Sequence, residues 1–369
     1  MIYADNAATT RICEAAKKEI TEMLGFCGNA SSSHSLGIIA SQKIKNARET
    51  VKALIGARDE DELVFTSGGS ESNNHALYIA SLIGKKRIIV SGIEHSSVFN
   101  TALDLEKRGF EIKTVGVDKN GIIALDELRS LINDETALVS VMAVNNEIGT
   151  VQPIKEIGEI CKENGVIFHT DAVAAVGRMR IDVAEMNIGM LSLSAHKFGG
   201  MQGVGALYIS KDIKAGKMIH GGAQENNLRA GTENVIGILS LSAALKDACE
   251  HLDERKKYLS SLSNRLAERL LKHNNVRING ADRIEGLLNV TFGGINGEAM
   301  LLMLDGKGIC ASIGAACNAN EKSPSRVLKQ LGISDDDALS TVRFSLSHEN
   351  TEEEIDFIAD TVDNILNKA

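Results

Sequence analysis

The sequence of 369 residues lacks several features that would assign it to a special class of protein. It has no uninterrupted run of about 18 uncharged apolar residues, so we expect no transmembrane helix and no membrane partner. Its first residues, MIYADNAATT, have neither the basic region nor the apolar stretch of a signal peptide, which favours a cytoplasmic location. With only two prolines and no low-complexity linker, the chain is expected to form one compact body of two domains.

The charge and the spacing of the cysteines exclude further classes. The net charge of -9 is not offset by any basic stripe, which argues against a nucleic-acid partner. The six cysteines form no C-x-x-C pair, so we expect neither a structural zinc site nor a disulfide framework, and no metal is predicted. In the cytoplasm these cysteines are expected to be reduced, and any of them could be a reactive thiolate.

Short apolar runs alternate with helix-like patterns through the first two-thirds of the chain. We predict buried strands at 63–66, 87–91, 111–115, 137–142, 166–169 and 190–194. This alternation indicates an α/β fold with a large, mainly parallel sheet. From about residue 243, a long charged helix and a capping box at 351–354 indicate a smaller α+β domain. The predicted domains are a large one at 13–250 and a small one formed by 1–12 and 251–369.

Ligands of open parallel sheets bind beyond the carboxyl ends of the strands, so the residues after each predicted strand are candidates for a site. After 63–66 come Gly68, Gly69 and Ser70, small residues at the start of a helix. Such a start suits an anion, although a simple turn is an equal alternative. The stretch has no Walker A lysine and no G-x-G-x-x-G spacing, so a nucleotide site is not indicated.

Two charged residues follow the last two predicted strands. Lys197 lies between an apolar strand and a glycine pair, where an amine is rarely held without a partner and could attack a carbonyl. Asp171 follows 166–169 and is either a helix cap or the partner of a pyridinium nitrogen. This lysine, this aspartate and the small-residue loop are together what pyridoxal phosphate requires, and we predict that cofactor.

Three further residues are candidates for the site. His95 ends another strand, where it is either a structural hydrogen-bonding group or, in a cofactor cleft, a ring-stacking or proton-transfer group. Asn146 follows the strand at 137–142, where an ordinary turn is the alternative. Cys317 lies in a small, polar stretch, which indicates an exposed loop with an accessible thiol.

These residues belong to motifs that run nearly from end to end of the chain. The motifs are Asp5-Asn6-Ala7-Ala8-Thr9-Thr10, Gly68-Gly69-Ser70-Glu71-Ser72, Glu94-His95, Asn145-Asn146-Glu147-Ile148-Gly149, His169-Thr170-Asp171-Ala172, Ser194-Ala195-His196-Lys197, Leu228-Arg229-Ala230-Gly231-Thr232-Glu233-Asn234 and Arg343-Phe344-Ser345-Leu346. In this order they resemble the cysteine desulfurases of the NifS/IscS type, which are class V aminotransferases. The resemblance implies the fold-type I architecture of pyridoxal-phosphate enzymes, with the catalytic cysteine loop on the small domain.

The resemblance also implies a role for each matching residue. Lys197 would hold the cofactor and move the Cα proton of the substrate, Asp171 would pair with the pyridine nitrogen, and His95 would stack on the ring. Cys317 would receive the sulfur, because it lies seven residues before Pro324, as the family's nucleophile lies before its proline. Further cofactor contacts are implied for Gly69, Ser70, Asn146, Ser194 and His196, and for Thr232 from a partner subunit, while Asn146 and Arg343 would grip the substrate carboxylate.

The function implied is that of a homodimer which converts L-cysteine to L-alanine and leaves the sulfur on Cys317 as a persulfide. A sulfur-acceptor protein would then take it for iron–sulfur cluster, thio-cofactor or tRNA biosynthesis. The chain departs from the family where Ala174 replaces a usual glutamine and Ala195 a usual glycine. Two alternatives stay open: a selenocysteine lyase or cysteine-sulfinate desulfinase-like enzyme with the same cofactor, and a degenerate paralogue without catalysis.

Overall fold

The computed structural model describes residues 1–314 and 323–368. Its helices are α1 (Glu14–Met23), α2 (Ser35–Leu54), α3 (Gly69–Ser81), α4 (Ser96–Lys107), α5 (Leu125–Leu131), α6 (Ile154–Glu163), α7 (Gln224–Asn227), α8 (Val235–Glu250), α9 (Leu252–Leu270), α10 (Gly297–Asp305), α11 (Arg326–Gln330), α12 (Asp335–Leu339) and α13 (Glu352–Leu366), with a short 3-10 helix at Ala195–Lys197. Its strands are β1 (Ile2–Tyr3), β2 (Glu62–Thr66), β3 (Arg87–Ser91), β4 (Glu111–Val115), β5 (Thr136–Ser140), β6 (Ile167–Asp171), β7 (Met190–Ser194), β8 (Gly205–Ile209), β9 (Val276–Asn279), β10 (Leu287–Phe292), β11 (Ile309–Cys310) and β12 (Thr341–Ser345).

A seven-stranded sheet organises the first two-thirds of the chain, in the order β2-β8-β7-β6-β5-β3-β4. Neighbours from β4 to β7 pair in parallel, whereas β8 runs antiparallel to β2 and β7. The predicted α/β fold with a mainly parallel sheet is therefore confirmed. Strand β8 was not predicted. The connection from β7 to β8 is too short for a crossover helix, and such a connection joins antiparallel neighbours.

Both faces of this sheet are covered, which explains its continuous apolar runs. In β2, Leu63 and Phe65 pack in the core formed with α2 and α8, while Val64 packs on the other face with residues of α3 and α4. The side chains alternate between the two faces, as the pleat of a strand requires. This double burial holds the carboxyl ends of the strands in fixed positions.

The C-terminal part has a core of its own. The antiparallel sheet β12-β10-β9 packs against α9, α10 and α13. Helix α13 begins with the predicted capping box, in which Thr351 and Glu354 each accept a backbone hydrogen bond from the other. Strand β1 pairs with β11, so the first residues join this part of the fold. The predicted domain boundaries stay a prediction.

Among the residues that the structure describes, no helix is both long and apolar enough to cross a membrane.

Candidate active site

Polar side chains from several strands meet in one cleft at the carboxyl edge of the large sheet. The cleft has a volume of about 210 Å³. Of the residues predicted as site residues, it is lined by Gly69, Ser70, His95, Asn146, Asp171, Ser194, His196, Lys197 and Arg343. Thr232 is exposed and does not line the cleft, and Cys317 lies outside the described residues.

Asp171 is the last residue of β6 and its carboxylate is buried. Its Oδ1 accepts a hydrogen bond from the backbone N–H of Val173 at 3.0 Å, and its Oδ2 accepts one from Nδ2 of Asn73 at 2.7 Å. The first bond closes a local turn, and no helix begins there, so the helix-cap alternative is wrong. The second comes from α3, so the same carboxylate is also oriented within the cleft. Its pairing with a pyridinium nitrogen stays a prediction.

His95 is connected to Asp171 through two other side chains. Its Nδ1 lies 2.7 Å from Oγ of Ser97 and accepts from the backbone N–H of Ser97 at 3.1 Å. Because Nδ1 accepts that N–H, the neutral ring carries its proton on Nε2. Ser97 Oγ in turn accepts from Nδ2 of Asn73 at 2.8 Å, the amide that also holds Asp171. The ring orientation and the carboxylate orientation are thus fixed by one network.

Lys197 ends the 3-10 helix that follows β7. Its Nζ donates to the backbone carbonyls of Ala7 and Ala8, at 2.5 and 2.9 Å. The amine is therefore held between the large sheet and the N-terminal segment. Burial, together with the positive charge of Lys197, lowers the pKa of the neighbouring His196 to about 4. His196 is consequently neutral at physiological pH and can accept or donate a hydrogen bond in the cleft.

The start of α3 forms the other end of the cleft. Gly68, at φ +153°, precedes the helix, and a Cβ on Gly69 would lie 2.6 Å from Cγ2 of Val173. Only glycine therefore lets the helix start approach the segment after β6 this closely. Glu71 in the first turn forms a two-bond ion pair with Arg229, at 2.9 and 3.2 Å. That pair ties the segment containing Thr232 to the predicted anion site.

Arg343 of β12 completes the cleft, although its side chain is only 2% exposed. Its Nη1 donates to the carbonyl of Asn146 and its Nη2 to Oδ1 of Asp5, both at 2.8 Å. Its Nε has no hydrogen-bond partner among the described residues. A buried guanidinium whose donors are only partly satisfied is suited to a carboxylate ligand.

The residues present fit pyridoxal phosphate. Lys197 would supply the amine for its aldehyde, and Asp171 would supply a buried, doubly hydrogen-bonded carboxylate for its pyridine nitrogen. The start of α3, with Ser194 and His196 beside it, would supply donors for its phosphate. Ala174 lines the same cleft and contributes no polar atom from its side chain.

Three residues of the site were not predicted. Asn73 and Ser97 lie within the first two turns of the helices that follow predicted strands, so their position was the available signal. Asp5 belongs to a motif of the resemblance, but nothing in the sequence pairs it with Arg343, 338 residues away.

The fold and the cleft define the class of protein: the chain belongs to the class-V aminotransferase family, which matches residues 2–358. A relative from Methanosarcina thermophila, named cysteine desulfurase IscS, is 45% identical over 377 residues, covering 100% of this chain and 92% of the relative. A solved structure of a NifS-like protein has a TM-score of 0.93 at 35% identity and covers 100% of both chains. Another, SspA in complex with cysteine, has a TM-score of 0.82 at 34% identity and covers 95% of this chain and 100% of that one. These similarities confirm the resemblance predicted from the motifs.

Proposed function

We propose that this chain is a pyridoxal-phosphate-dependent cysteine desulfurase, which converts L-cysteine to L-alanine and transfers the sulfur to Cys317. The observation that carries the proposal is the meeting of Lys197, Asp171 and Arg343 in one cleft. An amine and a carboxylate suit the cofactor, and a partly satisfied guanidinium suits an amino-acid carboxylate. The names of the relatives support cysteine as that amino acid.

When bound, pyridoxal phosphate supplies an electron sink for charge that develops at the Cα atom of the substrate. Asp171 keeps the pyridine nitrogen protonated, and the Asn73 amide keeps Asp171 in place. Lys197 anchors the cofactor through Nζ and then takes the Cα proton, since the amine is the basic group placed in the cleft. His95 stacks on the ring and handles a proton, with the tautomer that Ser97 fixes.

The substrate carboxylate is gripped by Arg343 and Asn146. The guanidinium of Arg343 donates a hydrogen bond to the backbone carbonyl of Asn146. A second hydrogen bond, to the carboxylate of Asp5, fixes its orientation. A carboxylate ligand that reaches Arg343 gains charge-assisted hydrogen bonds. This grip orients the substrate, so that its sulfur-bearing carbon points away from the clamp.

The sulfur step needs no outside oxidant or reductant. The Cys317 thiolate attacks the substrate sulfur, the C–S bond breaks, and its electron pair stays with the carbon, which is then protonated to give alanine. The products are one alanine and one Cys317 persulfide. Gly314, three residues before Cys317, lies beside Glu147, the chain neighbour of Asn146, which supports delivery of the thiol to this cleft.

The proposed reaction involves a second subunit and a protein that accepts the sulfur. We infer a homodimer in which Thr232 reaches the phosphate of the other subunit, and a cytoplasmic location. An acceptor protein of iron–sulfur cluster assembly or tRNA thiolation would then remove the persulfide sulfur. The IscS names of the relatives favour iron–sulfur cluster assembly.

The test is to incubate the cofactor-loaded protein with L-cysteine and a thiol reductant and to measure alanine and sulfide together. We expect equal amounts from the wild type and neither product from Lys197→Ala or Cys317→Ala. Full alanine formation by Cys317→Ala would show that another group accepts the sulfur. A wild type that binds the cofactor but forms neither product would refute the desulfurase function.

A further inference from the structure

The two described segments that flank Cys317, one on its N-terminal and one on its C-terminal side, both approach the buried carboxyl group of Glu147. On one side, Oγ of Ser325 donates to Oε2 of Glu147 at 2.5 Å. On the other side, a Cβ on Gly314 would lie 3.0 Å from the same Oε2 and 4.0 Å from Cβ of Ser325. Gly314 has a φ of +55°, which favours glycine, so a close approach and a left-handed backbone coincide there.

Further contacts hold each flank in place. Arg326 donates to the backbone carbonyls of Gly92 and Glu94, and its guanidinium lies 4.0 Å from the ring centre of Phe99. Ser312, on the N-terminal flank, exchanges two backbone hydrogen bonds with Arg343, at 2.6 and 3.2 Å. Each flank is thus also attached to the fold by contacts of its own.

Glu147 itself is fixed from its own main chain. Its N–H donates to Oδ1 of Asn145 at 2.9 Å, and its carbonyl accepts from Nδ2 of Asn289 at 3.1 Å. It directly follows Asn146, which lines the cleft, while its own side chain does not line it. A substitution of Glu147 therefore changes the surroundings of both flanks without removing a side chain that lines the cleft.

We propose that Glu147 is a positioning residue, whose carboxyl group fixes both flanks of the Cys317 segment relative to the residues that bind the substrate. This inference rests on the proposed function and adds to it the group that sets where the sulfur acceptor is delivered. A misplacement of reacting groups by about 1 Å lowers a rate by up to about 100-fold. A carboxyl group that is hydrogen-bonded to one flank and packed closely against the other is suited to prevent it.

The charge of Glu147 is not required for this role. Burial raises the pKa of Glu147, although Ser325 and the nearby Arg343, Arg326 and His95 act in the opposite direction. Ionised or neutral, the carboxyl group retains an oxygen that accepts the Ser325 hydroxyl hydrogen. A glutamine retains such an oxygen as well, whereas a methionine of similar size has only a weak acceptor. This difference separates the hydrogen bond from the volume of the side chain.

The experiment compares Glu147→Met with Glu147→Gln, and Ser325→Ala with Ser334→Ala. Ser325 and Ser334 each cap a five-residue helix, α11 and α12, so Ser334→Ala controls for the loss of a helix cap. All variants are made in the full, cofactor-loaded chain. Steady-state alanine formation gives kcat and KM, and peptide mass spectrometry gives the rate at which iodoacetamide alkylates Cys317 without substrate.

We expect Glu147→Met and Ser325→Ala to lower kcat by about 10- to 100-fold, with KM within about 2-fold of the wild type, since substrate binding is untouched. Both should change the alkylation rate of Cys317, and their effects should not add in the double variant. Glu147→Gln and Ser334→Ala should stay within about 3-fold of the wild type in kcat, because each leaves the hydrogen bond from Ser325 to residue 147 in place.

Two results would overturn the inference. One is an unchanged kcat and an unchanged Cys317 alkylation rate in both Glu147→Met and Ser325→Ala. The other is an equal loss in Glu147→Gln and Glu147→Met, which would make the charge and not the hydrogen bond decisive. A failure of the desulfurase function itself is recognised separately, because the wild type would then form no alanine.

Discussion

A buried arginine costs free energy unless its donors find acceptors. Arg343 is the largest of the fully buried side chains, and it divides its two terminal nitrogens between Asn146 and Asp5. Its Nε is left without a partner among the described residues. The guanidinium therefore retains one unpaired donor, and we propose that a substrate carboxylate bound in the cleft satisfies it.

Arg343→Lys tests this arrangement. A lysine keeps the charge but loses the planar fork that binds a carboxylate through two parallel bonds. We expect KM for L-cysteine to rise by about 10- to 100-fold, the equivalent of one hydrogen bond to a charged group. Alanine formation at varied cysteine concentrations gives this value, and the absorbance of the bound cofactor serves as the control. A KM equal to that of the wild type would place the carboxylate elsewhere.

The raised pKa of Glu94, the residue before His95, leads us to expect that the stability of the fold depends on pH. Burial raises its pKa to about 8, and the nearby Asp171 adds to the effect. Between its ordinary pKa and about 8, the folded protein keeps a proton that the unfolded chain has lost, so stability falls as pH rises through this window. The penalty is absent below the unfolded pKa and complete above the folded one.

Glu94→Gln removes that part of the pH dependence. Compared with the wild type, its thermal unfolding midpoint should gain more at about pH 8.5 than at about pH 5.5, by several degrees. Glu268→Gln makes the same change of charge at an exposed site and controls for net charge. Parallel pH curves for the wild type and Glu94→Gln would show that Glu94 is ionised throughout.

At this scale, position in the sequence predicted the residues that directly follow a strand. Lys197, Asp171 and His95 were found in this way, and the structure places all three in the cleft. The residues that hold them were not found. Asn73 contacts Asp171, 98 positions away, and no local pattern encodes such a contact. The same holds for Asp5, which pairs with Arg343, 338 positions away.

At the scale of the element, the start of α3 is the feature that suits an anion. Its free backbone N–H groups and its dipole favour negative charge, and Ser70 places a hydroxyl beside them. The alternation of strand and helix predicted this start correctly, because β2 is a buried apolar run followed by small residues. The same alternation did not predict β8. The antiparallel direction of β8 depends on the length of the connection from β7 and not on the composition of the strand.

Ser70→Glu tests whether the start of α3 binds the phosphate of the cofactor. A carboxylate in the first turn stabilises the helix by about 0.3–1 kcal/mol, yet it occupies and repels the predicted phosphate position. We expect cofactor affinity to fall by at least about 10-fold, while the cofactor-free protein is at least as stable as the wild type. Absorbance titration and thermal unfolding measure the two quantities.

Ser35→Glu, in the exposed first turn of α2, is the matched control for this variant. It adds the same charge to another helix start that does not line the cleft. Its cofactor affinity should equal that of the wild type. Equal affinities for Ser70→Glu and Ser35→Glu would place the phosphate away from α3.

At the scale of the whole molecule, the cleft is assembled from segments that lie far apart in the sequence. The carbonyls of Ala7 and Ala8 hold Lys197, and the N-terminal strand β1 pairs with β11 in the C-terminal part. The site therefore depends on the joining of the two ends of the chain. Thr232 stays exposed in this arrangement, although Arg229 ties its segment to Glu71 at the start of α3. We propose that this exposed residue reaches the phosphate site of a second subunit.

Mixed dimers of Lys197→Ala and Thr232→Ala protomers decide whether Thr232 acts across the subunits. If it does, one site of the mixed dimer carries both changes and the other carries none, so about half of the wild-type activity per dimer returns. If Thr232 acts within its own subunit, each site carries one change and no intact site forms. We expect the first result, measured as alanine formation by mixed dimers purified through two different tags. The control is a mixture of the two parental homodimers combined only at the time of assay. The activity of the mixed dimers must exceed the activity of this mixture.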